Sequence, residues 1–262
     1  MPRLEAGVAR APSAGGVHFS HPAPVAGTAW SVSVDATSQS VDSPDAGGGE
    51  QHSTYHSVYR IEILTVDGPA PSRVKLRFLR NVHTYQGAET PTVIDGKEYV
   101  VDARAPHVRD ATTGAAAAEE ESRRVLDVFP DLGTRTRIDE VLPEDAMGIG
   151  DRHDELATAI LRVIHPRAWT MRVGSATLTR VDGDHGVFTV SLDASSDAGL
   201  RLEVAGEAHV RLADARLSDL TLAGRYERLP AKDAKNAGPI EPPGAFTLRR
   251  RVTSDPTPRS DR

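Results

Sequence analysis

The sequence predicts a mainly β protein (β-rich α+β). Two similar antiparallel meanders form a barrel, half-barrel or sandwich, and two or three short helices join them. Three observations predict this. Apolar and polar residues alternate with period 2 in about ten short segments. Turn signals such as Asp67-Gly68, Asp95-Gly96 and Asp182-Gly183 separate those segments. Helical spacing takes over only between Ala115 and Ile164.

Met1 to Ala23 is rich in Ala, Gly, Pro and Ser without periodicity and reads as a disordered lead-in. From Thr28, Trp30, Val32 and Val34 alternate with Ser31, Ser33 and Asp35, marking a half-buried strand. The glycines of Ser43 to Gln51 make a loop. A long strand follows from Thr54 to Val66, with Tyr59, Ile61 and Ile63 on one face. Val66 to Ser72 is a turn, and Arg73 to Leu79 is a strand with Val74, Leu76 and Phe78 inward. Asp95-Gly96 predicts a hairpin between Thr92–Ile94 and Lys97–Val101, because such turns need positive φ.

Ala115 to Phe129 reads as a helix ended by Pro130, with Glu119–Arg123 and Glu120–Arg124 as i,i+4 pairs. A second helix spans Asp151 to Ile164, with Asp151 as N-cap and Pro166 as its stop. Its apolar face, Leu156, Ile160 and Ile164, is expected to lie on the sheet as a lid or pocket wall. Alternation returns at Trp169–Val173, Ser175–Val181, Val187–Leu192, Leu200–Val204, Glu207–Leu212 and Leu217–Ala223. The expected organisation is therefore a lead-in over 1–23 and a β domain over 24–229, built from meanders 24–113 and 167–229 around a helical connector 114–166. A Pro- and charge-rich tail follows over 230–262, with an edge strand at 245–252.

Composition excludes several functions. The chain has 262 residues, no cysteine and a net charge of −6. Disulfides, thiolate catalysis and cysteine-ligated metals are ruled out, and the acidic balance argues against a nucleic-acid partner. No run of apolar residues is long enough for a transmembrane helix. The N-terminal residues as written lack the apolar core of a signal peptide.

The two β regions share an order of parts, a weak internal repeat. Leu64 to Gly68 resembles Leu178 to Gly183, Ile94 to Val100 resembles Val204 to Val210, and Pro24 to Trp30 loosely matches Ala146 to His153. The motifs Val25-x-Gly27-x-x-Trp30, Gly96-Lys97-x-Tyr99-Val100 and Leu142-Pro143 followed by Gly148-x-Gly150-Asp151 give the region from Val25 to Gly224 a recognisable layout. It resembles a β-rich family of uncharacterised lipoproteins and secreted proteins of bacteria, the myxobacteria in particular. The resemblance implies a cell-envelope location and brings no known activity, cofactor or catalytic residue. The chain departs from it in lacking a signal peptide and a lipidation cysteine.

Candidate sites are few. His52 and His56 share a face at a spacing of four, and His83, His107 and Asp42 could complete a metal site with them. Solvated histidines at the start of a strand are the plainer reading. Asp182, Asp184 and His185 suggest catalysis but fit ordinary hairpin chemistry better. Glu119, Glu120, Glu121, Glu144, Asp145, Asp151, Asp154 and Glu155 read as solvated helix faces and first-turn acids. Gly148-Ile149-Gly150 lacks the Lys-Ser/Thr of a phosphate loop. Arg249, Arg250 and Arg251 form a short basic run, His165 ends a helix, and Trp30 and Trp169 read as core anchors. No catalytic constellation emerges, and no cofactor is expected. The leading expectation is a non-catalytic extracytoplasmic interaction or structural protein. The second is a carrier of an apolar ligand in a curved sheet lidded by helix 151–164. The third is a metal-dependent hydrolase using His52 and His56.

Overall fold

The computed structural model describes residues 16–41, 50–103, 107–129, 132, 137–164, 169–196, 199–228 and 244–254. Of the loop expected over Ser43–Gln51, residues 43–49 lie outside them, and Glu50 and Gln51 instead begin a strand. Asp42, the side chain of His107, Pro130, His165 and Pro166 also lie outside, as do most of the lead-in and of the tail.

The described residues fold as one antiparallel sheet with three short helices. In order come β1 (Ala29–Val41), β2 (Glu50–Asp67), β3 (Ala70–Tyr85), β4 (Ala88–Pro91), β5 (Glu98–Asp102) and β6 (His107–Asp110). The helices follow: α1 (Glu119–Val128), α2 (Arg137–Val141) and α3 (Asp154–Ile164). The second meander is β7 (Trp169–Asp182), β8 (His185–Ser196), β9 (Leu200–Arg211) and β10 (Leu217–Arg228), and β11 (Gly244–Ser254) closes the chain. Across the sheet the order is β6-β5-β3-β2-β1-β11-β10-β9-β8-β7, with β4 beside β3. The path is open: it ends at β6 and at β7. Of the three arrangements expected, a closed barrel and a two-sheet sandwich do not fit this single open sheet, and the described helices pack on one of its faces.

That face is set by the alternation. Val32, Tyr59, Ile61, Ile63, Val74, Leu76, Phe78, Tyr99 and Val101 are buried and gather with Val125 of α1 into one core. Leu178, Phe188, Val190, Leu192, Leu202, Val210 and Leu222 gather with Leu156 and Ile160 of α3 into a second. The opposite face is solvated and laced with ion pairs, as a one-sided antiparallel sheet allows. Arg201 bridges Asp193 and Glu227, and Arg180 pairs with Glu207 at 2.7 Å.

Several expectations are corrected. The tail strand is not at an edge: β11 lies between β1 and β10 and joins the two meanders into one sheet. The lead-in is structured where it is described. Val17 bridges Met147, Phe19 is 2% exposed in the second core, and His21 Nδ1 donates to Asp139 Oδ1 at 2.5 Å. Asp95-Gly96 makes a turn with Gly96 at φ 70°, but Thr92–Ile94 is not a strand, and β5 pairs with β3 instead. The helix expected from Ala115 begins at Glu119, because Ala115 and Ala117 spend their backbone groups on Asp110 and Val108. Asp151 does not cap α3. Its carboxylate accepts from the Gly148 N–H at 2.7 Å, closing a turn three residues before the helix starts. The repeat holds at two places. Asp67-Gly68 and Asp182-Gly183 both turn hairpins. The match of Pro24–Trp30 with Ala146–His153 is seen where Gly27-Thr28 and Gly150-Asp151 exchange backbone hydrogen bonds with Ile63 and Leu178 in the same pattern. Val204 to Val210, by contrast, lies inside β9, and Ile94 to Lys97 is a turn.

Candidate ligand cavity

The two cores do not meet. Between them, where β11 joins β1, the sheet and helices line a cavity of ≈380 Å³ that opens to solvent beside His83 and Arg124. Its floor is Val34 and Ala36 of β1, Tyr55 and Tyr59 of β2, and Phe246, Leu248 and Arg250 of β11. Asn81, His83 and Ile94 close one side, Arg124, Asp127 and Val128 of α1 another, and Val163 and Ile164 of α3 cover it. Strand parity explains the floor. Ala36 faces Leu248 and Tyr55 across the ladder, and Val34 faces Arg250, so all lie on the helix-bearing face. Tyr59 of the first core and Leu248 of the second reach its floor, and the small side chains of Val34 and Ala36 leave the space between them unfilled.

Two smaller cavities continue the row and share walls with it. One of ≈80 Å³ shares Tyr59, Val128, Val163 and Arg250 with the first. The next, of ≈240 Å³, shares Trp30, Phe129 and Arg216 with the second. From Ala36 to Trp30 along β1 this row runs about 20 Å.

Polar groups are concentrated at one end. Asn81 is 2% exposed and fully engaged: its Nδ2 donates to the Tyr55 hydroxyl at 2.9 Å and to Ser57 Oγ at 2.8 Å, and Thr92 Oγ1 donates to its Oδ1 at 2.6 Å. The Asn81 N–H donates to Asp95 Oδ1 at 2.6 Å. His83 stacks on Tyr55 with ring centroids 4.8 Å apart. Partial desolvation at the cavity edge, and then the Arg124 charge, hold the exposed His83 imidazole below its ordinary pKa, which favours the neutral ring. Burial raises the Tyr59 phenol, while the Arg250 guanidinium, hydrogen-bonded to it, opposes that rise. Further along, Arg216 stacks over Trp30 at 4.2 Å, and its pKa is lowered by burial against the pull of Asp214.

The residues singled out from the sequence fall partly into this site. Leu156 and Ile160 are fully buried in the second core and hold α3 to the sheet, while Ile164 is half-buried and lines the cavity. Trp30 is 7% exposed in the first core and walls the two smaller cavities; Trp169 packs against the second core. His52 and His56 are not brought to a common centre. Both lie on β2, where a spacing of four separates them by about 13 Å, far beyond what one ion spans. His56 instead meets Asp35 across the ladder at 2.6 Å. Among the described residues no group of three or more His, Asp or Glu could hold a metal. Asp182, Asp184 and His185 form the β7–β8 turn, with Asp184 and His185 2.7 Å apart. Glu121 accepts from Lys97 Nζ at 2.5 Å and ties α1 to the segment before β5, and no ion pair joins Glu120 to Arg124 among the described residues.

Sequence reasoning missed Asn81, Arg124 as a cavity residue, and Arg250. The last carried a signal. Phe246, Leu248, Arg250 and Val252 share one strand phase, so the run Arg249-Arg250-Arg251 must split across the sheet. Arg249 and Arg251 point outward and pair with Asp219 at 3.9 and 3.2 Å, and Arg250 points inward.

No protein-family model matches the chain, and no curated protein matches it. Among solved structures the chain is similar to lipovitellin, from a study of its lipid–protein interactions, with a TM-score of 0.43 and 8% identity over 88% of this chain. It spans about a quarter of that protein, 25% of the lipovitellin chain. It is also similar to DynF of the dynemicin biosynthesis pathway of Micromonospora chersina (TM-score 0.22, 7% identity, covering 98% of this chain and 94% of that one). A third is a DUF1329 family protein of Desulfovibrio piger (TM-score 0.14, 10% identity, 86% and 85% covered). None of these likenesses is close enough to transfer a ligand or a reaction.

Proposed function

We propose that the protein is a binding protein or carrier for an apolar small molecule, held between the seam of the sheet and helices α1 and α3. One observation carries this reading: the ≈380 Å³ cavity at the centre of the sheet, walled by Val34, Ala36, Phe246, Leu248, Val163 and Ile164. Protein interiors are close-packed, so space of this size at the middle of a fold calls for an occupant. Its volume and mostly apolar wall with a few grouped polar side chains match small-molecule sites in general. Helix α3 is suited to cover it, because Leu156 and Ile160 anchor its buried face while Val163 and Ile164 reach over the opening.

A surface-interaction role has less support. The outer face of the sheet satisfies its charges internally through Arg180, Arg201, Arg225 and Arg251. Exposed large apolar residues such as Leu79, Ile149 and Val173 are dispersed over β3, the turn before α3 and β7.

Native mass spectrometry of gently purified protein tests the carrier reading, together with thermal denaturation in the presence of long-chain fatty acids and alcohols. A co-purifying lipid-sized mass, or a rise in melting temperature with an apolar additive, is expected. Empty protein that no apolar additive stabilises refutes it.

A further inference from the structure

Many arginines of the sheet are paired with a carboxylate, although exposed Arg73 of β3 and Arg109 of β6 have none within 4.0 Å among the described residues. On the solvent face, Arg172, Arg180, Arg201, Arg225, Arg249 and Arg251 each have a carboxylate within ion-pair distance. The two that line the main cavity do not: among the described residues, neither Arg124 nor Arg250 has a carboxylate within 4.0 Å. Asp127 is the one carboxylate among the lining residues, and it is engaged in an interaction of its own.

The two cavity arginines differ in depth. Arg250 is half-buried on the inward face of β11, between Val34 of β1 and Leu220 of β10. Its protein partner is the phenol of Tyr59, itself 4% exposed. A guanidinium offers five N–H donors in a planar fork, and one neutral hydroxyl leaves most of that capacity and all of the charge unanswered. Removing a cation from water without a counter-charge is costly. Arg124, on α1, is exposed at the rim of the same cavity, where a second positive charge draws anions towards the opening.

We propose that the occupant is an amphipath with one anionic head, a carboxylate or a phosphate, that pairs with Arg250 and leaves its unbranched apolar tail along the row of cavities beneath α3. This rests on the carrier reading above and adds the chemistry of the head. The guanidinium fork matches both oxyanions in bidentate geometry. From Arg250, level with Val34, the seam runs about 13 Å to Trp30, a narrow path that suits an extended chain better than a compact ring system. Arg124 acts as the second cation, at the mouth.

Displacement of the neutral dye Nile red from the full-length, delipidated protein tests this with three ligands of equal tail: oleate, oleoyl lysophosphatidate and oleyl alcohol. The anions should displace the dye at least about tenfold more tightly than the alcohol, and the stronger of the two identifies the head. Arg250→Met keeps the apolar stem and should bring the anions to the level of the alcohol, with the alcohol changed less than about twofold. Raising the salt concentration should weaken the anions and spare the alcohol in the wild-type protein, a readout independent of how the variant folds. Equal affinity for oleate, lysophosphatidate and alcohol overturns the anionic head and leaves the carrier reading standing. Failure of the dye and of all three ligands to bind overturns both.

Discussion

Ile160→Ala and Ile164→Ala, four residues apart on α3, should differ severalfold in cost. Ile160 is 0% exposed in the second core, whereas Ile164 is half-buried at the cavity wall. Truncation at Ile160 removes three carbons from a closed environment. At about 0.8 kcal/mol per CH₂ the transfer loss is about 2.4 kcal/mol, and the new void adds to it, giving about 3–4 kcal/mol. At Ile164 a cavity already adjoins the side chain, so there is little new void and less transfer, about 1 kcal/mol. Urea unfolding followed by far-UV circular dichroism measures both. With a slope of about 3 kcal/mol/M, Ile160→Ala should lower the midpoint by about 1 M and Ile164→Ala by a third of that, with unchanged slope. Equal costs at the two positions, or a cost below about 1 kcal/mol at Ile160, would refute the division of α3 into an anchoring face and a covering end.

Asn81→Leu should destabilise by about 2–3 kcal/mol in the same assay, because buried Ser57 and the Tyr55 and Thr92 hydroxyls lose their shared partner. A cost below about 0.5 kcal/mol would show that water or neighbouring groups replace it. Stability should also respond to pH through His83. Unfolded, the imidazole takes up its proton near pH 6.5; folded, partial desolvation and Arg124 resist protonation. The unfolded state therefore binds more protons as pH falls below about 6.5, and that stability is lost through the lower, folded pKa. The urea midpoint should fall less steeply from pH 7 to 5 in His83→Gln than in the wild type, and parallel slopes would contradict the assignment. Further acidification should remove the contributions of Glu98 and Asp193, whose carboxyls Lys75 and Arg201 hold below their usual range.

Much of the fold is legible in the chain because one-sided burial writes itself as alternation. Val74, Leu76 and Phe78 point inward in the structure as their spacing requires, and Leu156 and Ile160 mark the buried face of α3 by helical spacing. What is illegible is mostly tertiary. Phe19 is one aromatic in an Ala- and Pro-rich segment, and nothing local reveals that Phe188 receives it at 5.8 Å between ring centroids. Ala115 to Ala118 are strong helix formers, yet pairing with β6 takes their backbone groups first. The pairing of β11 with both β1 and β10 depends on partners more than two hundred residues apart in one case, and no local pattern encodes it. The cavity is further removed still, since it is defined by what two cores fail to fill.

The position of the cavity follows from how the sheet is assembled. Each meander completes a core with its own helix, α1 for the first and α3 for the second. The last strand joins the two, with Leu248 in the second core and Val252 packed against the first. A strand meant only to seal that seam would present large apolar side chains at every inward position. β11 presents Phe246, Leu248 and Val252 but breaks the series with Arg250, opposite the small side chain of Val34. Replacing Arg250 by leucine would extend the apolar series and remove an unpaired charge. Placing a half-buried arginine, without a carboxylate partner among the described residues, at the joint of the fold is a choice that packing alone does not explain. It is accounted for when a counter-charge arrives with the ligand, and on that basis the seam is read as a binding site and not as a packing defect.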